Sequence, residues 1–256
     1  MLNIVIPMAG RGSRFATAGY PLPKPLIPVH GRPMIATVVD NLRPKQPHEF
    51  TFICQQSQLV KYGLQGYLKS IAPNGRVIPI DAVTAGAACT VLLARPHINN
   101  DSPLMIANCD QWIDVDIDEY LNQIENEAID GMIMTMRANS PKWSYVRRDS
   151  HGQVCEVVEK IVVSDEATVG IYNFARGADF VSAAEQMIAA DARVNGEFYV
   201  APAYNFLIAR GARIGTFCIG SVGQGMYGLG IPEDLEQFET LGMLPRMAHE
   251  RSRRAA

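Results

Sequence analysis

An α/β fold, a mixed and mainly parallel sheet flanked by helices, is predicted for this 256-residue chain by three observations. Strand-like and helix-like segments alternate through the first half, which argues for parallel strands joined by helical crossovers. The strand-like runs there are short, apolar and rich in β-branched residues, as strands buried on both faces are. After residue 130 the rhythm changes to strands with few helices between them, the mark of a smaller antiparallel lobe.

The elements follow in order. "NIVIPM" (3–8) reads as a buried strand. After the irregular loop "MAGRGSRFATAGYPLPKPLIPV" (8–29), "HGRPMIATVVDNL" (30–42) has Gly31 as a turn and Pro33 at a first helical position. "EFTFIC" (49–54) is a strand, and "SQLVKYGLQGYLKSIA" (57–72) is a helix that Ser57 can cap. "RVIPI" (76–80) is the third strand, "AACTVLLAR" (87–95) a helix, and "SPLMIANCD" (102–110) a fourth strand ending on polar residues. The antiparallel part comprises "DGMIMTMRA" (130–138), "SYVRRD" (144–149), "QVCEVVEK" (153–160) and "TVGIYNF" (168–174). Helices return over 177–192 and 198–211, followed by the strand "ARIGTFCIG" (212–220) and a last helix, "PEDLEQFETL" (232–241).

Apolar residues make up 48% of the chain and charged residues 19%, ordinary for a globular protein with a large core. A formal net charge of −3 gives no electrostatic case for nucleic acid or an anionic membrane, yet leaves room for a local basic site for a small anion. The five cysteines (Cys54, Cys89, Cys109, Cys155, Cys218) are odd in number and lack CxxC spacing. Neither a disulfide framework nor a zinc site is indicated, and buried reduced thiols are expected. The start, "MLNIVIPMAG", lacks a basic n-region, and no stretch approaches the ~18 apolar residues of a membrane span. A cytoplasmic location is the expectation.

In parallel α/β sheets, ligands sit beyond the carboxyl ends of the strands, and the opening loop lies there. Gly10 and Gly12 can take positive φ and expose N–H groups to an anion. Arg11, Arg14 and Lys24 supply cations for a polyphosphate. No GK[ST] follows, as a Walker loop requires, and Phe15 and Ala16 stand where a dinucleotide GxGxxG needs its third glycine. A plain turn with solvated cations is the competing reading of G-x-G alone.

"MAGRGSRF…PKPLIPVHGRPMI" resembles the signature of the sugar-1-phosphate nucleotidylyltransferases, which make activated sugars: G-x-G-[ST]-R and, some residues on, P-K. The resemblance covers most of the chain. It implies a Rossmann-like fold of the nucleotide-diphospho-sugar transferase type and a single nucleotidyltransferase domain over 1–256. The nucleotide-binding half would span about 1–130, the acceptor-binding half about 131–245, and a basic tail 246–256.

Several site residues are implied by the same resemblance. Met8, Ala9, Gly10, Arg11, Gly12 and Ser13 would wrap the triphosphate, and Arg14, Lys24 and Lys160 would be the catalytic cations. Thr84, Gly86 and Ala87 match a stretch whose backbone faces base and ribose, although simple helix packing also accounts for small residues there. Asn108 would contact the nucleotide. Asp110 would hold Mg²⁺, a hard cation that prefers oxygen ligands and substrate phosphates. Asp114 and Asp116 are read as a loop and a helix start, where acids favour the dipole. Glu159 and Lys160 match an E-K pair at the acceptor. Gly170, Asn195 and Glu197 would complete the acceptor pocket, with Tyr199 and Tyr204 read as packing. One departure stands out: many members carry an Asp just before the glycine of G-[TI]-P, and "GMYGLGIPEDL" has Gly228 there. Either Asp110 and phosphates hold the metal alone, or another acid substitutes. Glu233 and Asp234 are read as starting the last helix.

The expected reaction is transfer of a nucleoside monophosphate from an NTP to a phosphorylated acceptor, a sugar 1-phosphate, with release of pyrophosphate. No Ser-His-Asp or Cys-His arrangement competes with it. "MAGRGSRF", "IANCDQW" and "RVNGEFYVAPAYN" are similar to small nucleotidyltransferases of capsule and surface-polysaccharide clusters. Some of these resemble cytidylyltransferases acting on phosphoglutamine, so a non-sugar acceptor stays open. A nucleotide-sugar-dependent glycosyltransferase and a non-catalytic nucleotide-binding regulator stay open as other classes, although "CDQW" offers one acid where the former uses D-x-D. Small-molecule partners are expected, with no nucleic acid and no membrane; a homo-oligomer remains open. Little chain follows the last helix, so a single function without an appended acyltransferase module is expected.

Overall fold

The computed structural model describes residues 1–241; the tail read at 246–256 lies outside them. β1 (Leu2–Pro7) leads through a loop, a short helix α1 (Ser13–Thr17), a 3-10 turn (Lys24–Leu26) and a small hairpin of β2 (Pro28–Val29) and β3 (Arg32–Pro33) into α2 (Met34–Leu42). β4 (His48–Gln55), α3 (Gln56–Tyr62), α4 (Leu64–Ile71), β5 (Arg76–Ile80), α5 (Ala87–Leu92), α6 (Arg95–Ile98) and β6 (Leu104–Ala107) complete the parallel half. Next come β7 (Gln111–Ile113), α7 (Ile117–Glu127), β8 (Gly131–Arg137), β9 (Ser144–Arg148), β10 (Val154–Glu159) and β11 (Glu166–Phe174). The last elements are α8 (Gly177–Ala189), α9 (Ala203–Ile208), β12 (Ile214–Val222), β13 (Gly225–Gly228) and α10 (Pro232–Thr240).

One large sheet has the order β5-β4-β1-β6-β11-β8-β12-β13-β7, with the antiparallel β9–β10 pair attached to β11. The first four strands run parallel, β11 is antiparallel to both neighbours, and β7 pairs antiparallel with β13. This is the mixed, mainly parallel α/β sheet that the sequence predicts. Alternation along β1 supplies both faces of the core. Ile4 and Ile6 join one buried cluster with Val38, Phe52 and Tyr120, while Val5 joins the other with Val91, Ile106 and Phe180. Among the described residues, no helix is long and apolar enough to cross a membrane. Cys54 and Cys109 are buried as expected, whereas Cys155 and Cys218 are exposed on β10 and β12.

Some elements differ from expectation for local reasons. The helix expected over 57–72 is two helices, because Gly63 takes a left-handed φ of 59° that ends α3. Ser57 lies inside α3, which starts from Gln55. The helix expected over 198–211 forms only at Ala203–Ile208, because Phe198 is tied by its backbone to the start of α5: its N–H donates to Ala85 O at 2.9 Å and its carbonyl accepts from Ala88 N at 3.0 Å. The opening loop contains a helical turn, α1. Asp116 does cap α7, accepting from the Asp118 amide at 3.0 Å.

Two asparagines stand in for missing strand neighbours. Asn41 on α2 donates to Ile113 O and accepts from Ile113 N, both at 2.8 Å. Asn205 on α9 does the same for Val157, at 2.9 and 2.7 Å. Asn41 is buried and fixes β7, the strand that follows Asp110. Asn41→Ala leaves both polar groups of Ile113 unpaired, at a cost of about 1–3 kcal/mol for each buried group. The expected result is an unfolding free energy lowered by about 2–6 kcal/mol in all, read from the denaturant midpoint and slope; an unchanged midpoint would mean that water takes over both bonds.

Candidate active site

β1 runs into Met8 and Ala9, whose side chains are buried in the core, so their backbone alone can meet a ligand. Gln55 Nε2 donates to the carbonyls of Ala9 and Gly10, at 2.8 and 3.3 Å. A trans peptide points its N–H opposite its C=O, so this hold turns the amides of Gly10 and Arg11 the other way. Among the described residues, no carbonyl accepts from the amides of Gly10, Arg11, Gly12 or Ser13. Gly12 is left-handed, φ 61°, and a Cβ on it would stand 3.4 Å from that of Lys24, so the loop and the 3-10 turn touch. Gly10 needs no positive φ. Arg11, Ser13 and Arg14 are exposed, the last two at the start of α1.

β6 delivers Asn108 and Asp110. Lys24 Nζ donates to Asp110 Oδ2 at 2.7 Å, joining residues 86 apart in sequence. Burial opposes the Lys24 charge, but Cys109 and Asp110 outweigh it and hold the ammonium pKa above the ordinary lysine value. Burial pushes the Cys109 thiol up to about 11. Asp110 lines a cavity of about 780 Å³. The other walls are Ser13, Arg14 and Thr17 of α1, Asn108, Gln111, Lys142 and Trp143 before β9, and residues between Met226 and Asp234. Two glycines make room in that last segment. A Cβ on Gly230 would lie 2.5 Å from Asp110 Oδ2, and one on Gly228 would lie 2.7 Å from Asp234 Oδ2.

Gly170 serves the same wall. It is left-handed, φ 92°, at an irregularity in β11, and a Cβ there would overlap the side-chain amide of Asn108. Its carbonyl accepts from the Asn108 N–H at 3.1 Å. Gln111 Nε2 is buried and has no hydrogen-bond partner among the described residues, an unused donor on a residue of the cavity wall.

A second cluster adjoins the cavity. Lys160 follows β10 in a left-handed conformation, φ 59°, and its N–H donates to Trp143 O at 3.0 Å. Its ammonium bonds to the Tyr199 hydroxyl and sits 4.5 Å from the centre of that ring. The Tyr199 bond leads the interactions that hold Lys160 above the ordinary lysine pKa. Glu159 is buried and accepts from Ser144 Oγ. Burial pushes its carboxyl up, with Ser144 and Lys160 pulling the other way and Glu197 adding to the rise. Asn195 is exposed, and with Gly196 it makes the two-residue turn between Val194 and Glu197, whose two backbone bonds are both 3.0 Å.

Thr84, Gly86 and Ala87 open α5 beside the end of β1; Ala88 and Ala9 share one core cluster. Thr84 Oγ1 donates to Gly86 O at 2.8 Å. Gly86 has φ 139° and ψ 173°, and a Cβ on it would overlap the backbone of Phe198, so its missing side chain serves contact with the residue after Glu197.

The loop and Asp110 therefore meet beyond the carboxyl ends of β1 and β6, and Trp143 on the cavity wall ties in Lys160 through its carbonyl. The family model described as "Nucleotidyl transferase" matches residues 4–198. The chain belongs to the nucleotidyl transferase family. A curated relative, the bifunctional protein GlmU of Paraburkholderia xenovorans (strain LB400), is 24% identical over 228 residues, 84% of this chain and 46% of that protein. The chain thus spans about half the length of the curated relatives it matches. A crystal structure titled as the nucleoside-diphosphate-sugar pyrophosphorylase from Vibrio cholerae RC9 superposes with a TM-score of 0.78 at 25% identity, covering 93% of this chain and 99% of that one. A UDP-glucose pyrophosphorylase complexed with UDP-glucose gives 0.75 at 15% identity, over 95% and 98% of the two chains, and shares the fold.

The sequence alone does not single out Gln111, Lys142 and Trp143, and it reads Tyr199 as packing. Gln111 and Tyr199 sit inside the quoted segments "IANCDQW" and "RVNGEFYVAPAYN", whereas Lys142 and Trp143 fall in the unassigned stretch 139–143; nothing in residue type or spacing marks any of the four. Glu159 carries a prediction of its own. Its carboxyl is raised above its value in the unfolded chain, so its favourable contribution holds below the ordinary glutamate range and is lost as pH rises through the raised pKa. Glu159→Gln should therefore gain stability relative to wild type as pH rises from the ordinary glutamate range through the raised pKa, read as unfolding midpoints at each pH. A difference independent of pH would remove the buried-charge account.

Proposed function

We propose that the chain transfers a nucleoside monophosphate from an NTP to a phosphorylated small molecule, a sugar 1-phosphate, and releases pyrophosphate. The observation that carries this reading is that Ser13, Arg14 and Asp110 line one cavity of about 780 Å³, with Lys24 bonded to Asp110 and the unclaimed amides of residues 10–12 leading into Ser13. An acceptor phosphate oxygen attacks the α-phosphorus, and the bond to the bridging oxygen of pyrophosphate breaks. A phosphate is already ionised near neutral pH, so no protein nucleophile or base is required. The chain's part is in-line positioning and charge neutralisation, through Arg14 and Lys24 on the triphosphate and Lys160 on the acceptor phosphate. Glu159 and Glu197 face the acceptor's hydroxyl groups. Residues 1–130 supply most of the nucleotide's contacts, and the described residues after 130 supply most of the acceptor's.

Asp110 fits a divalent cation. It is a hard oxygen donor on the cavity wall, and Gly230 leaves space against its carboxylate. Mg²⁺ held there would supply charge neutralisation at the phosphates. The similarity of "MAGRGSRF" and "IANCDQW" to capsule-cluster enzymes supports a role in surface polysaccharide assembly in the cytoplasm, and keeps phosphoglutamine among the acceptors to test. The test is a pyrophosphate-release screen crossing four nucleoside triphosphates with sugar 1-phosphates, phosphocholine and phosphoglutamine, with Mg²⁺. Release with one pairing supports the reading and names the acceptor. Tight nucleotide binding with no release from any pairing would favour a regulator instead.

A further inference from the structure

Asp234 stands in the first turn of α10, where an acid is ordinarily explained by the helix dipole. Its carboxylate does more than face solvent. It occupies the space above Gly228, 2.7 Å from where a Cβ would be, just as Asp110 occupies the space beside Gly230, at 2.5 Å. The two glycines are separated by one residue, Leu229, whose N–H donates to the backbone carbonyl of Asp110 at 2.8 Å. Gly228 is also paired in register with Gln111, the residue after Asp110. Both carboxylates therefore flank the same three-residue stretch and line the same cavity. Asp110 has Lys24 as a partner, whereas no ion pair or hydrogen bond to the Asp234 side chain is found among the described residues.

We propose that Asp234 is the second carboxylate ligand of the divalent cation held at Asp110, so that the C-terminal helix closes the metal site. This rests on the reading of the cavity as a triphosphate site. Two carboxylates beside a polyphosphate repel it and each other, and a divalent cation between them reverses the sign of that interaction. One or two carboxylates plus substrate phosphates is the donor set that Mg²⁺ takes. The chain is built to hold such a pair in place. Phe238 of α10 packs its ring on Trp112 of β7 and Tyr227 of β13, at 5.6 and 5.7 Å between centroids, so the helix is fixed to the two strands that carry Gln111 and Gly228. Gly228, the position at which the sequence lacks an expected acid, is the one that leaves room for an acid from elsewhere.

The test is direct binding of Mn²⁺ to the full chain, followed by the EPR signal of free Mn²⁺, alone and with a non-hydrolysable nucleoside triphosphate. Asp234→Asn and Asp110→Asn should each weaken Mn²⁺ binding at least about tenfold, the scale on which even outer-shell partners act. Glu236→Gln, an exposed acid on the same helix, should bind as wild type. The double variant Asp234→Ala, Gly228→Asp moves the carboxylate onto the neighbouring backbone and should recover the affinity that Asp234→Ala loses. Hydrogen exchange in residues 232–240 should slow when Mn²⁺ and nucleotide bind, and should not slow in Asp234→Asn. Wild-type Mn²⁺ affinity in Asp234→Asn, or an equal loss in Glu236→Gln, would overturn the assignment. If Mn²⁺ binding depends on both aspartates and yet no pairing in the release screen turns over, the catalytic reading falls and the metal site remains.

Discussion

Lys24→Ala should lower kcat by about 10²–10³-fold, the cost of losing one preorganised charge at a reacting phosphate, while leaving the unfolding midpoint nearly unchanged. Lys24 ties the opening loop to Asp110 through a 2.7 Å bond, and both side chains keep about a quarter of their surface exposed, at 22% and 25%. Asp110 can therefore rehydrate when its partner is removed, so the fold loses little and turnover loses much. Arg14→Ala, at an exposed position on α1, should share the kinetic defect without any core contact being broken. The measurement is pyrophosphate release at saturating triphosphate, with a thermal melt of each variant. Near-normal release from both variants would dismiss the phosphate cradle.

Gly86→Ala should be the most damaging substitution of a single methyl group near the site. The backbone at φ 139°, ψ 173° lies in a region that only glycine occupies freely, a cost of about 1–3 kcal/mol. The added Cβ would also press on the peptide of Phe198, for roughly 1–3 kcal/mol more. Because Phe198 is held between Ala85 and Ala88 and lies between Glu197 and Tyr199, any relief moves the acceptor cluster. The expected result is a lowered melting temperature together with a raised KM for the acceptor, and a smaller change in nucleotide affinity. A variant with wild-type melting and wild-type acceptor KM would show that the Phe198 segment yields freely.

The buried parallel strands were legible because apolar, β-branched runs bounded by polar turns leave little else for them to be. The loop after β1 was legible for a different reason: glycines and cations at a strand end have a chemical use that a plain turn does not explain. β7 and β13 were not legible, since at three and four residues they are too short to carry a period. The length of the helix after Pro202 was misjudged because pairing between Phe198 and α5 is a long-range fact. Asn195 and Gly196 form a tight turn that their order alone announces, although the polar setting drew attention to ligand contacts. Asp234 is the most instructive residue. Its place in sequence marks a helix start, and only the empty space above Gly228 gives it a second use.

Asn205 has a consequence for how the molecule behaves in company. β10 pairs with β9, and an outer strand of this kind is a template on which a strand from another molecule can lay itself down. By engaging both the donor and the acceptor of Val157, Asn205 occupies one rung that such pairing would need. Glu159 and Lys160 lie two and three residues further along. The same amide that steadies the strand therefore also blocks this edge against pairing with another chain.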